Sequence, residues 1–129
     1  MVDPVVPVSW GELLDKVAIL EIKRVRLRAP EAVANAELEL AALAPALAAL
    51  EPAPAGLAVL RTALVAVNQQ LWTIEDRIRE KDAQGDFGPG FVALARSVYR
   101  ENDERGRIKR AINALLGSRL VEEKQYSAY

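Results

Sequence analysis

The stretch LAVLRTALVAVNQQLWTIEDRI, residues 57–78, decides the fold. Leu57, Leu60, Leu64, Val67, Leu71, Ile74 and Ile78 recur at alternating spacings of three and four, which puts them on one stripe of an α-helix. A seam of that length needs an apolar partner along its side. The segment QGDFGPG, residues 84–90, is turn-rich and too short for anything but an antiparallel return. Beyond it, Phe91, Leu94, Ala95, Val98, Ile108, Ile112 and Leu116 share one side of a helix expected over residues 91–116, with Gly117 stopping it. The reading is an all-α bundle with a central, long antiparallel helical hairpin.

The rest of the chain is expected to pack around that hairpin. Ser9 with Glu12 three residues on is a capping box, and it opens a helix expected from Trp10 to Arg28, ended by Pro30. Its apolar positions are Trp10, Leu13, Leu14, Val17, Leu20 and Val25, and this helix is expected to cross the hairpin. Residues 30–50 are rich in Ala, Leu and Glu, strong helix formers, with Pro45 expected to kink or split the helix. Residues 1–8 are extended by composition, because Pro4 and Pro7 bias their neighbours away from the helix. Residues 118–129 form a tail, whose Tyr126 and Tyr129 are expected to dock back on the bundle. Trp72, Phe87, Phe91 and Tyr99 gather around the hairpin and are read as core. One domain spanning residues 1–129 follows.

Composition narrows the function. The 129 residues hold 17 basic and 18 acidic side chains, a formal net charge of -1, without the positive excess of a nucleic-acid binder. With no Cys and no His, disulfides, Cys/His zinc sites and thiol chemistry are excluded, and no cofactor or metal is expected. No signal peptide is readable, and the apolar run at residues 41–50 is interrupted by Pro45, so no membrane span is expected. The expected location is the cytoplasm. Phosphate-binding glycine loops are missing; the glycines at 85, 88 and 90 read as a turn.

Three helices carry polar residues where a helical wheel calls for apolar ones. Glu21, flanked by Arg24 and Arg28, falls on the inward face of the first helix. Asn68 and Glu75, with Arg79 and Asp82 at the edge, do so on the third, and Asn102, Arg105, Lys109 and Asn113 on the fourth. Buried charge is costly unless paired. The cluster is therefore either a register-fixing network or a polar pocket between helices, where bundles place ligand sites. The candidate binding residues are Glu21, Arg24, Asn68, Glu75, Arg79, Asn102, Arg105 and Lys109.

The run NQQLWTIEDRIR at residues 68–79, then Asp86, Phe87, Gly88 and Pro89, Tyr99, Asn102, Lys109 and Asn113, carries a resemblance. With Gly11 to Lys16, Ile19 to Lys23 and Glu122 to Lys124, it resembles a family of short all-helical bacterial proteins known only as a domain of unknown function. Gly90 and Gly106 depart from that pattern; the Ala-rich middle matches it poorly. The resemblance implies no activity, and associates the chain with glycosyltransferase and surface-polysaccharide genes.

The preferred reading is a non-catalytic module binding a small anionic ligand or a protein partner, with Arg24, Arg79, Arg105 and Lys109 as an electropositive lining. One alternative is a small helical enzyme acting on an anionic metabolite in the manner of all-α chorismate mutases, by cationic stabilisation of a transition state. Another is a Mg²⁺-dependent nucleotide pyrophosphohydrolase using Glu12 with Asp15 and Glu101 with Glu104; Glu12 and Asp15 are expected to face solvent, which counts against it. Catalytic residues are not assignable. The long seam also leaves room for a homodimer.

Overall fold

The computed structural model describes residues 1–128. Four helices follow in order: α1 Trp10–Arg26, α2 Pro30–Ala48, α3 Leu57–Ala83 and α4 Pro89–Leu116, with no strand among the described residues. α3 and α4 form the antiparallel hairpin, and α1 is the element that touches all three others. α2 rests on α1 alone. The architecture is an all-α bundle built on that hairpin.

The core joins Leu14 and Ala18 of α1, Leu50 of the connector after α2, Leu57, Leu64 and Val67 in the first half of α3, and Ile108 and Ile112 near the end of α4. It occupies one end of the hairpin. At about 1.5 Å per residue, the 27 residues of α3 span roughly 40 Å and the 17 of α1 roughly 25 Å. Only part of the hairpin can therefore be covered, and residues 69–105 include none that is fully buried.

Several expectations are corrected here. Phe87 is 57% exposed and Tyr99 is 38% exposed; Trp72 and Phe91 are half-buried. The aromatic residues thus lie on the uncovered arm, with Phe87 meeting Phe91 edge to face, and none belongs to the core. α2 is not split at Pro45 but continues to Ala48; the proline forfeits only the bond its own N–H would have made to the carbonyl four residues back, one turn from the helix end. α1 stops at Arg26, two residues early, and α4 starts at Pro89, a proline being suited to the first turn of a helix. Tyr126 of the tail is exposed, and Tyr129 lies outside the described residues. No described helix is long and apolar enough to cross a membrane.

Candidate functional site

The start of α1 is fastened to the end of α4. Of the free amides at the α1 N-terminus, Glu12 N donates to Ser9 Oγ at 3.1 Å, Gly11 N to Asn113 Oδ1 at 2.7 Å and Trp10 N to Ser118 Oγ at 2.9 Å. Ser118 reaches that position because Gly117 takes the left-handed conformation (φ 64°) and reverses the chain, Ser118 N closing on Asn113 O at 2.8 Å. The helices meet so closely at Gly11 that a Cβ there would lie 2.6 Å from the Lys109 carbonyl oxygen and 2.9 Å from Asn113 Oδ1.

One turn further on, the contact becomes ionic. Asp15 is 1% exposed and receives the Arg105 guanidinium side-on, Nε lying 3.0 Å from both carboxylate oxygens and Nη2 closing on Oδ2. Asn68 Nδ2 donates to Asp15 Oδ1 at 2.8 Å and to the Leu64 carbonyl at 3.0 Å. Lys109 Nζ stands 3.6 Å from Asp15, 2.7 Å from Glu12 and 2.9 Å from Glu122 of the tail. Burial alone would push the Asp15 carboxyl up. The Arg105 and Asn68 hydrogen bonds and the charges of Arg105 and Lys109 outweigh it and hold the group below its ordinary value. Burial likewise pulls Lys109 down, but Glu12, Glu122 and Asp15 hold it above the usual lysine value. Lys109 in turn lowers Glu122.

Two members of this network face the other way as well. Asn68 and Arg105 form part of the wall of a groove of about 450 Å³ between α1, α3 and α4, together with Ile19, Trp72, Glu75, Asp76, Arg79 and Asn102. Arg105 Nη1 donates to Asn102 Oδ1 at 3.4 Å, and Arg79 pairs with Glu75 at 3.2 Å. Five of the eight candidate residues, Asn68, Glu75, Arg79, Asn102 and Arg105, therefore share one groove. Lys109 belongs to the ion network behind it. Glu21 lines a separate small recess with Arg61 and Leu64, and Arg24 is exposed on α1 without lining the groove. The anticipated electropositive lining does not form, since Arg79, Arg105 and Lys109 each stand on a carboxylate.

Glu12 and Asp15 correct a second expectation. Asp15 is buried rather than solvent-facing, and Glu12, although half exposed, turns onto Lys109 instead of completing the capping box. The signal that finds Asp15 is the stripe Gly11, Asp15, Ala18, Ile22, spaced four, three and four, all buried. Small residues flanking a polar one on that stripe mark where another helix approaches closely. Glu101 and Glu104 do not face this pair: Glu104 is held by Arg107 at 2.6 Å, and Glu101 lines a different groove.

The model of a family of unknown function (DUF6165) matches residues 5–129, and the chain belongs to that family. No curated protein and no solved structure matches it.

Proposed function

We propose that this member of the family is a non-catalytic binding module that holds a small polar ligand in the groove between α1, α3 and α4. The observation that carries the reading is the double role of Asn68 and Arg105. Their bonds to buried Asp15 fix them, so a ligand meets preset groups, the spare N–H of Arg105 as donor and the Asn68 side-chain carbonyl as acceptor, rather than side chains that must first be ordered. Charge sets the ligand class. Arg79 and Arg105 are balanced by Glu75 and Asp76 on the wall and by Asp15 behind it, leaving no positive excess for a multiply charged anion. Trp72 offers an aromatic face, the two Asn amides and two carboxylates bond hydroxyls, and the volume suits a metabolite. The expected occupant is rich in hydroxyls and carries at most a weak negative charge.

Cations already held by carboxylates are poorly placed to stabilise a new transition-state charge, which favours binding over catalysis. A carbohydrate-bearing ligand would also fit the association with glycosyltransferase and surface-polysaccharide genes that the family resemblance implies, and we place the protein with it in a bacterial cytoplasm. A second reading, contact with a protein partner or a second copy, rests on α2: Ala36 is its one buried residue among those described, and Leu38 is 72% exposed.

Trp72 provides the test. In a Trp10→Phe background it is the remaining tryptophan, and its emission is recorded while neutral sugars and sugar acids are titrated in, with sugar nucleotides as the multiply charged ligands expected to bind worse. A saturable change, lost on Asn102→Ala, is expected. If emission stays flat with every ligand, and Glu75→Gln and Asn102→Ala alter nothing, the groove is not a site.

A further inference from the structure

We propose that a second groove, on the opposite face of α3, is a site for a phosphate-bearing ligand. It is lined by Arg26 at the end of α1, by Gln69, Gln70, Thr73 and Arg77 of α3, and by Ser97 and Glu101 of α4, and its volume is about 560 Å³. Its α3 residues are offset by about two positions from those of the first groove, roughly 200° around the helix, and the two walls share no residue. The proposal therefore stands apart from the function proposed above.

The argument begins with where positive charge is left uncompensated. Lys16, Arg79, Lys81, Arg105, Arg107, Lys109 and Lys124 each form an ion pair with a carboxylate. Among the described residues, Lys23, Arg24, Arg26, Arg28, Arg61, Arg77, Arg96, Arg110 and Arg119 form none. The first four fall within six residues of sequence, in a molecule whose net charge is -1. Cations in the last turn of a helix complement its dipole, and that accounts for Lys23, Arg24 and Arg26 in part. It does not account for Arg28, beyond the helix end, nor for Arg77, which arrives from α3 at the groove that Arg26 also lines.

Two guanidinium groups on one concave wall match the geometry of phosphate oxygens, each able to donate a pair of parallel bonds. Thr73 and the amide of Gln69 supply neutral donors on the same wall. The wall's carboxylate, Glu101, is engaged by the Gln70 amide, N–H donating to Oε2 at 2.8 Å once that amide is oriented to match its partner. A ligand with its phosphate at Arg26 and Arg77 and a hydroxyl toward Glu101 meets this lining. That phosphate group belongs either to a free metabolite or to a lipid headgroup.

The test is calorimetric titration of the full chain with inorganic pyrophosphate at constant ionic strength. Co-sedimentation with phosphatidylcholine vesicles, with and without phosphatidylserine, is run beside it. Loss of one charged hydrogen-bond donor weakens binding about tenfold or more. Arg26→Gln and Arg77→Gln should each do so, whereas Arg79→Gln, in the other groove, should leave binding unchanged. Both residues are exposed, and circular dichroism confirms that the variants fold. Pyrophosphate binding lost in both variants supports a free phosphorylated ligand. Inert pyrophosphate, with vesicle binding that requires phosphatidylserine and both arginines, supports a headgroup. Silence in both arms, or binding that survives Arg26→Gln and Arg77→Gln, overturns the proposal.

Discussion

Removing the Asp15 carboxylate leaves the largely buried Arg105 guanidinium without its counter-charge and beside Lys109, which keeps Glu12 and Glu122. Such uncompensated burial costs about 3–5 kcal/mol, while exchanging a whole buried pair for apolar groups is often neutral. Asp15→Ala should lower stability by that amount in urea denaturation, and Asp15→Leu with Arg105→Met should recover much of it. If the single change costs under about 1 kcal/mol, within the range of an exposed pair, the network does not hold the helices together. Gly11→Ala tests the same junction through the backbone: a methyl 2.6 Å from the Lys109 carbonyl must force α1 and α4 apart, at about 1–3 kcal/mol, read from the thermal midpoint. The sequence makes Asn68, Arg105 and Lys109 visible because each interrupts an apolar seam. Asp15 stays hidden when the inward face of α1 is measured from Glu21, since the helix is covered on more than one side and has no single inward face.

At the scale of elements, the hairpin divides into a covered half and a bare half, and substitutions should report which half they fall in. Leu64, in the core beside Leu14 and Ile108, should cost about 2–5 kcal/mol as Leu64→Ala. Phe87, on the bare arm with one aromatic contact to Phe91, should cost less than about 1.5 kcal/mol as Phe87→Ala. Denaturant midpoints with unchanged slopes decide this, and equal costs would mean the arm folds as core. The helices themselves are legible in residues 57–78 and 91–116, where the seam repeats every three and four positions and glycines end the segments. What each seam packs against is not, because periodicity reports a face without its partner. The same stripe that buries Leu57, Leu64 and Val67 leaves Leu71, Ile74 and Ile78 half-covered, since α1 is too short to reach along it.

Across the whole molecule, the ion network makes stability depend on pH at both extremes and on little between. Asp15 and Glu122 are held below their ordinary values of 3.8 and 4.5. Their contribution is therefore present above those values and lost as the pH falls through the lower folded ones. Lys109 is held above 10.5, so its contribution is present below that value and lost as the pH rises through its folded one. With no histidine in the chain, no side chain has an ordinary value near neutrality, and unfolding free energy should change little between the acid and alkaline limbs. Asp86 and Glu104, lowered by Lys81 and Arg107, add to the acid limb, but Asp86 is exposed and Glu104 nearly half so, and salt screens them. Salt should therefore shrink the acid limb only to the part set by Asp15 and, through Lys109, by the tail at Glu122. Chemical denaturation across pH at low and high salt, repeated for Asp15→Asn, separates the two parts. A salt-resistant acid limb that flattens in Asp15→Asn is expected. A limb that salt abolishes in the parent chain would place the acid sensitivity on the surface and deny the buried carboxylate its role in joining α1, α3 and α4.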